Sequence, residues 1–253
     1  MQQDSVRRTT VAAAACGVLL LLLSACVTTA PDAARTRGAQ DARGRAAPTP
    51  AVSSAPTADP TRVPGVGDRL NRRVPAGSRQ VVAVYGEGRD SATSRVVLYT
   101  RRGGRWHPEG SWPAHNGRHG WTTHHHEGDG RSPVGVFTLT DAGGVLADPG
   151  TRLPYDRDER AYAPPAGWDE AHRHDFDYVI AIDYNRLRGA PPSDATRPWG
   201  AARGGGIWLH MDHGSGTSAC VSVSKDAMRL LLRTLDPAHD PVVVMGDRAT
   251  LRA

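Results

Sequence analysis

The stretch HMDHGSGTSACVSV, residues 210–223, holds a histidine and a cysteine ten positions apart. An imidazole that reaches a thiol can take its proton and stabilise the thiolate, which is the nucleophilic form of cysteine. The intervening segment 214–218 has only small residues, so it can form a tight loop whose backbone N–H groups bind an oxyanion. The spacing indicates a Cys220–His210 site for acyl transfer. The alternative is a small buried thiol with no chemical role.

The first 26 residues have the layout of an export signal. Two arginines precede the uncharged run 11–26, which is shorter than the roughly 20 apolar residues of a transmembrane helix and is typical of a signal peptide. Its end, LSAC at residues 23–26, resembles the lipobox of bacterial lipoproteins. The sequence therefore predicts a signal peptide over residues 1–25 and a lipid anchor at Cys26. The alternative is an ordinary signal peptide cleaved after a small residue.

This processing leaves one free thiol in the mature chain. Cys16 leaves with the signal peptide, Cys26 carries lipid, and Cys220 has no partner for a disulfide. An unpaired cysteine in an oxidising compartment is exposed to oxidation, so its presence there favours a chemical role.

Composition separates a tether from a folded domain. Residues 26–62 are mostly Ala, Pro, Thr, Ser, Asp and Arg, and they lack the apolar surface that would offset the entropy of ordering the chain. Residues 63–253 have the length of one domain. The net charge of +5 is scattered along the sequence. It forms no nucleic-acid footprint, so we predict no nucleic-acid partner.

The elements that must position the site are mainly β-strands. Apolar, β-branched runs predict strands at residues 80–85, 95–100, 105–112, 134–139, 178–184, 206–211 and 241–245. One helix begins after an N-cap at Ser224 and ends before Asp236 and Pro237. The sequence predicts a mainly β fold, with one late helix packed on the sheet.

Two ordered motifs resemble the catalytic domain of the YkuD-type L,D-transpeptidase family. In that family a histidine closes a strand and is followed, after a loop, by Ser or Thr, a variable residue, Gly, the nucleophilic Cys, and Ile or Val. These places are taken here by His210, Thr217, Ser218, Ala219, Cys220 and Val221. Upstream, SPVGVF at residues 132–137 resembles the family element Thr-Pro-x-Gly-x-Phe. The resemblance covers most of residues 78–247 and implies a β-sandwich domain.

The resemblance implies acyl transfer on peptidoglycan stem peptides, without a metal or an organic cofactor. Cys220 attacks the carbonyl between diaminopimelate and the terminal D-Ala of a tetrapeptide, and a thioester forms. His210 acts as base and then acid, while its other ring nitrogen is held by a backbone carbonyl, here that of Met211. An amine of a second stem, or water, takes the acyl group.

The same resemblance implies an oxyanion-binding loop and an inhibitor class. The loop residues are Gly216, Thr217, Ser218 and Ala219. Carbapenems mimic the acyl donor for this family, so we expect them to modify Cys220 covalently.

Two positions depart from the family pattern. Ala219 occupies the Gly place, where a positive φ would cost on the order of 1 kcal/mol. Ser222 stands where many members carry Arg, so a guanidinium for a substrate carboxylate is missing. We predict that Arg203 supplies this charge. The other candidate substrate contacts are Tyr184, Asn185, Trp208 and Ser222.

The remaining histidines predict no metal site. The three consecutive histidines at 124–126 point in different directions, which disfavours shared ligation of one ion. We interpret them as a polar loop. His172 and His174 alternate in the segment AHRHD, and we interpret them as part of a solvated surface.

Three functions stay open from the sequence. The first is a transpeptidase that is lipid-anchored at the outer face of the cell membrane and reaches the cell wall. The second is an L,D-carboxypeptidase-type hydrolase with the same thioester, and the third is a cell-wall-binding lipoprotein with a degenerate site. A His-activated Cys220 would react unusually fast at neutral pH, whereas a structural thiol would be inert.

Overall fold

The structure is a computed structural model that describes residues 59–253. The predicted signal peptide, Cys26 and the tether up to residue 58 lie outside the described residues. The Pro60 carbonyl accepts a hydrogen bond from the Trp106 N–H at 3.0 Å, so contact with the folded domain begins before the predicted boundary at residue 63. Within residues 59–253, no helix is long and apolar enough to cross a bilayer.

The described residues form a mainly β domain, which confirms the predicted fold class. Its strands are β1 Gln80–Gly86, β2 Thr93–Arg102, β3 Arg105–His115, β4 Trp121–Thr122, β5 Ser132–Pro133, β6 Gly135–Thr138, β7 Ala142–Gly144, β8 Tyr155–Arg157, β9 Val179–Ala181, β10 Trp208–Met211, β11 Val221–Val223 and β12 Val242–Asp247. Its α-helices are α1 Asp68–Asn71, α2 Lys225–Thr234 and α3 Arg248–Arg252. Short 3-10 helices cover Glu170–His172, Ala201–Arg203 and Pro237–His239.

Ten strands form one sheet in the order β6-β12-β1-β2-β3-β11-β10-β9-β7-β8, and β4 pairs with β5 separately. β1 lies between β12, which runs parallel to it, and β2, which runs antiparallel. Every residue of β1 is buried. Both faces of the sheet are therefore covered at β1. This explains why apolar side chains follow one another along the strand instead of alternating with polar ones.

The sheet curls around its larger core. Val82 and Val84 of β1 share a cluster of buried residues with Ile180, Leu209 and Val221. The last three belong to β9, β10 and β11, which are several strands away in the sheet order. The alternate residues of β1 face a second cluster on the other side of the sheet. This curling gives the domain its sandwich-like layers.

Helix α2 covers the larger core, at the position predicted from the sequence. The Ser224 side chain accepts a hydrogen bond from the backbone N–H of Ala227, as an N-cap does. The buried positions lie on one helical face and are Ala227, Met228, Leu231 and Leu232. The helix follows β11 directly, so its packing holds the strand that comes after Cys220.

We expect Leu231→Ala to lower the free energy of unfolding by about 2–5 kcal/mol, because it leaves a cavity beneath α2. Leu231 is fully buried, whereas the adjacent Leu230 is 41% exposed. Leu230→Ala is therefore the matched control, with an expected change within about 0.5 kcal/mol. Urea unfolding followed by circular dichroism measures both changes. Equal losses in the two variants would contradict this packing of α2.

Candidate active site

Strand register brings residue 220 and His210 to one side of the sheet. β10 and β11 are parallel, with Leu209 opposite Val221 and His210 opposite Ser222. Cys220 directly precedes β11 and lies beside Trp208 of β10. Trp208 comes two residues before His210 along that strand. This offset corresponds to about 8 Å between the α-carbons of Cys220 and His210, a separation that the two side chains can bridge.

The Cys220 thiol is partly exposed at the start of β11 and is held by backbone groups. Its Sγ accepts a hydrogen bond from the Trp208 N–H at 3.4 Å and donates one to the Gly206 carbonyl at 3.6 Å. Burial raises the pKa of the Cys220 thiol to about 11, the Trp208 hydrogen bond opposes this rise, and the Asp175 carboxylate adds to it. At neutral pH the resting thiol is therefore protonated.

The imidazole of His210 is held in one tautomer. Its Nδ1 lies 2.8 Å from the Met211 carbonyl oxygen, and a carbonyl can only accept, so Nδ1 carries the proton. Burial lowers the pKa of His210 to about 4, although the hydrogen bond to Met211 opposes this shift. The ring is thus neutral at pH 7, with a lone pair on Nε2 that can take a proton.

Cys220 and His210 line the same cavity, whose volume is about 820 Å³. Its wall also includes Trp208 and the loop residues Gly216, Thr217 and Ser218. This volume lies in the range of small-molecule and peptide sites. A bound molecule can therefore approach the thiol and the imidazole together.

The two sequence motifs meet at the residues before β11. Ser132 Oγ donates to the Ala219 carbonyl at 2.7 Å and accepts from the Gly117 N–H at 2.9 Å. Thr217 Oγ1 donates to the Cys220 carbonyl at 2.7 Å. The side chains of both motifs therefore fix the carbonyls that flank the thiol, so the N–H groups of this turn keep a defined direction.

The turn before Cys220 is unstrained at Ala219. Among residues 59–253, only Asn185 and Asp240 combine a side chain with a positive φ, so the Cβ of Ala219 carries no left-handed penalty. The backbone of Arg118 approaches Gly216 so closely that a side chain does not fit there, because a Cβ would lie 2.7 Å from the α-carbon of Arg118. Outside the sheet ladders, the N–H groups of Ala219 and Cys220 find no acceptor within residues 59–253. No acceptor among these contacts therefore competes for the two N–H groups, and their binding of an oxyanion stays a prediction.

The sequence matches the family described as L,D-transpeptidase catalytic domain, YkuD, over residues 67–244. The chain belongs to the L,D-transpeptidase catalytic domain family. This membership confirms the resemblance of the two motifs, and the family links the protein to L,D-transpeptidase-type enzymes of the cell wall.

The solved structures that are similar to the chain include the following two. One is the structure of Bdellovibrio bacteriovorus Bd1075, with 19% identity and a TM-score of 0.38, covering 74% of this chain and 53% of that one. The other is the helical cell shape determining protein Pgp2 from Campylobacter jejuni, with 15% identity and a TM-score of 0.40, covering 69% of this chain and 50% of that one. The chain thus spans about half the length of each. A comparison with curated proteins found no match.

In this L,D-transpeptidase domain, Ser222 lies outside the cavity lining. It is fully buried, and its hydroxyl donates to Asp212 Oδ1 at 2.7 Å. His115 Nδ1 lies 2.8 Å from the same oxygen. Burial opposes ionisation of Asp212, but the hydrogen bonds from Ser222 and His115 outweigh it and lower its pKa. Ser222 therefore belongs to a hydrogen-bond network with Asp212 and His115, and its contact with substrate stays a prediction.

Tyr184 and Asn185 hold the loop that leads into β10, and their contact with substrate stays a prediction. Tyr184 Oη donates to the Arg203 carbonyl at 2.9 Å. Asn185 Nδ2 donates to the Gly204 carbonyl at 2.6 Å, and its Oδ1 accepts from the Trp199 N–H at 2.7 Å. Both side chains are buried. Since this loop contains Gly206, they indirectly position the carbonyl that accepts from Cys220.

Arg203 lies in the short 3-10 helix of the same loop and is not part of the cavity wall. Arg118 and Arg197 are the arginines that line the cavity. Arg118 is placed by its backbone, whose N–H donates to the Thr217 carbonyl at 2.8 Å. The arginines of the cavity wall are therefore residues that the sequence did not single out, and the charge expected from Arg203 stays a prediction.

A second group of residues near the thiol was missed or misinterpreted from the sequence. Asp175, Phe176 and His213 line the cavity, and so does His172, which was predicted to lie on a solvated surface. The ring of Phe176 packs edge-on against His210, with 5.4 Å between the ring centroids. This contact joins the segment before β9 to strand β10, so no local sequence pattern reports it. The only sequence signal was the position of His213, three residues after His210.

Proposed function

We propose that this protein transfers acyl groups between peptidoglycan stem peptides through a Cys220 thioester. The observation that carries the proposal is the common cavity wall formed by Cys220 and a neutral His210, whose Nδ1–H is fixed on the Met211 carbonyl. Family membership supports the substrate class, which is the peptidoglycan stem peptide. The donor is a tetrapeptide stem, and the bond cleaved joins diaminopimelate to D-Ala.

In the first step the Cys220 sulfur attacks the donor carbonyl carbon while Nε2 of His210 takes the thiol proton. The carbonyl oxygen becomes an oxyanion, which the N–H groups of Ala219 and Cys220 bind. Collapse of this intermediate breaks the C–N bond, and the imidazolium gives its proton to the leaving amine of D-Ala. A thioester to Cys220 and free D-Ala are the products.

In the second step an amine of another stem attacks the thioester, and His210 accepts its proton. The sulfur leaves, takes that proton back, and a new amide links the two stems. If water attacks instead, the product is a shortened stem with a free carboxylate, which is the hydrolase alternative. A protein that binds wall fragments without forming a thioester would be the third candidate, a degenerate binding lipoprotein.

We also propose the location of this reaction. The signal-peptide pattern and the lipobox at residues 23–26 support a catalytic domain outside the cytoplasm that is anchored to the membrane by lipid on Cys26. The intervening residues of the tether let it reach the wall. Labelled lipid that is incorporated into wild-type protein but not into Cys26→Ala would support this. Equal labelling of both would contradict it.

The experiment that tests the function uses the purified full-length protein and a disaccharide-tetrapeptide. Intact-protein mass spectrometry detects the thioester, peptide digestion assigns it to Cys220, and a coupled assay measures released D-Ala. Addition of an amine-bearing second stem then distinguishes a crosslinked dimer from a hydrolysed tripeptide. Stem binding with neither thioester nor D-Ala would overturn the enzymatic proposal in favour of a binding protein.

We expect Arg118→Ala to weaken binding of the tetrapeptide donor about tenfold, because a charge-assisted hydrogen bond to a carboxylate is lost at the cavity wall. Arg203→Ala is the matched control, since Arg203 is also exposed but lies away from the cavity lining. Calorimetric titration of the donor into Cys220→Ala backgrounds measures binding without turnover. The opposite ranking of the two variants would support the assignment of the charge to Arg203.

A further inference from the structure

Two histidines and an aspartate converge on the wall of the cavity that Cys220 also lines. His172 and Asp175 come from the segment before β9, and His213 comes from the loop after β10. His172 Nδ1 lies 2.8 Å from Asp175 Oδ2, and His213 Nδ1 lies 3.1 Å from the same oxygen. One ligand atom from each residue lies within 4.8 Å of the other two. These distances bracket the roughly 3.3 Å between two ligand atoms on a tetrahedral ion.

His213 is buried without hydrogen bonds. Its side chain is only 4% exposed, yet neither ring nitrogen has a hydrogen-bond partner within residues 59–253. Asp175 Oδ2 is close to Nδ1, but the direction does not meet hydrogen-bond geometry. A buried polar group without a partner is costly. A cation bound by a ring nitrogen of His213 removes this cost for the histidine, while Asp175 Oδ2, which already lies in a hydrogen bond with His172 Nδ1, supplies a negative ligand beside it.

The surroundings hold these three side chains in place. The Asp175 carbonyl accepts the Met211 N–H at 2.9 Å, which ties the aspartate to the end of β10. The His172 ring packs between Trp168 and His213, with centroid distances of 4.8 Å and 4.2 Å. An apolar wall on one side and the open cavity on the other are typical of a metal site that keeps a free coordination position.

We propose that His172, Asp175 and His213 bind a divalent transition-metal cation of the Zn²⁺ class. Two imidazoles and one carboxylate are the ligands that such borderline cations prefer, whereas Mg²⁺ and Ca²⁺ prefer oxygen alone. Three protein ligands leave at least one position open toward the cavity. The site uses neither Cys220 nor a stem peptide, so it goes beyond the proposed acyl transfer and can succeed or fail independently of it.

The test is metal binding by the full-length protein after removal of metals with a chelator. Titration with Zn²⁺ against a chromogenic indicator is expected to show one equivalent bound, with a rise of Tm by a few degrees. Co²⁺ is expected to give visible d–d absorption bands of a low-coordinate site with nitrogen and oxygen ligands. Absence of stoichiometric Zn²⁺ binding to the wild-type protein would overturn the proposal.

Variants locate the cation. His213→Gln and Asp175→Asn are each expected to weaken Zn²⁺ binding at least tenfold and to remove the Co²⁺ bands. His174→Ala is the matched control, because His174 lies in the same segment but is 67% exposed and pairs with Asp177. Cys220→Ala is expected to bind normally. Loss of binding in Cys220→Ala, or unchanged binding in both ligand variants, would show that the metal is held elsewhere.

A variant can lose Zn²⁺ binding because a ligand is missing or because its fold is disturbed, and the experiment must separate these two causes. Asp175 is buried, so its substitution can lower stability by itself. His172 is 27% exposed in its side chain, and His172→Gln is therefore the milder variant. Circular dichroism and Tm without metal report the fold. A folded His172→Gln protein that binds Zn²⁺ as tightly as wild type would contradict its assignment as a ligand.

Discussion

Cys220→Ala is expected to abolish the covalent adduct with a carbapenem, formation of the stem-peptide thioester and release of D-Ala. The sulfur is the atom that forms the new bond, and within residues 59–253 Cys220 is the free cysteine of the structure. Removal of a covalent nucleophile lowers turnover by at least about a thousandfold. Intact-protein mass spectrometry measures the adduct, and a coupled oxidase assay measures D-Ala.

Two further variants sharpen this result. His210→Gln retains the thiol but removes the ring that takes its proton, so acylation is expected to slow by about 10²–10⁴-fold. Ser222→Ala is the control, because Ser222 lies opposite His210 in the sheet but outside the cavity lining. It is expected to keep the adduct. An adduct that persists in Cys220→Ala would place the nucleophile at another residue and overturn the proposed mechanism.

Alkylation of Cys220 by iodoacetamide is expected to accelerate about tenfold for each pH unit between pH 7 and pH 10. Burial raises the pKa of Cys220 to about 11 and lowers that of His210 to about 4. The neutral thiol and the neutral imidazole are therefore the stable pair at neutral pH, and the thiolate fraction grows in proportion to hydroxide below pH 11. Across three pH units the expected rise is about a thousandfold.

This expectation reverses the sequence-based one, in which His210 activates Cys220 at neutral pH. A thiolate–imidazolium pair would give a rate that is already high near pH 6 and flat above it. The difference arises because desolvation disfavours the charged form of both groups and their contacts are to backbone groups of Trp208, Gly206 and Met211. The rate is measured by quenched alkylation and mass spectrometry. A plateau near neutral pH would favour the ion pair.

A neutral pair still suits the proposed reaction. His210 offers Nε2 as a base, so the proton can move as the sulfur attacks a bound carbonyl, without a thiolate in the resting enzyme. Such a thiol is protected from oxidation when no substrate is present, because the thiolate is the form that oxidises. Fast acylation by a carbapenem together with slow alkylation at pH 7 would be the combined signature.

The local sequence patterns predicted the framework of the site. The buried strand at 80–85, the helix after Ser224 and the strand that ends near His210 all appear in the structure, with bounds shifted by a few residues. These elements could be predicted from the sequence because apolar runs, a helix cap and turn residues act over short distances along the chain. The family was readable because two motifs stand in a fixed order.

The contacts of the candidate site were harder to predict from the sequence than these elements. The sequence did not predict that the side chains of Tyr184 and Asn185 hold backbone carbonyls of another loop. Arg118 gave no signal because its place at the cavity depends on the pairing of its backbone with Thr217. Both outcomes depend on which distant segments meet, and this information is absent from spacing along the chain.

The sequence by itself determined the mainly β class and the family, and it predicted that His210 and Cys220 share one site, because these follow from local periodicity and from ordered motifs. Only the tertiary structure decided the protonation of that pair, the lining of the cavity and the convergence of His213 with Asp175. Burial, hydrogen-bond direction and the meeting of the segment before β9 with the loop after β10 are properties of the folded chain. They arise when the sheet curls around its core, and no local pattern contains them.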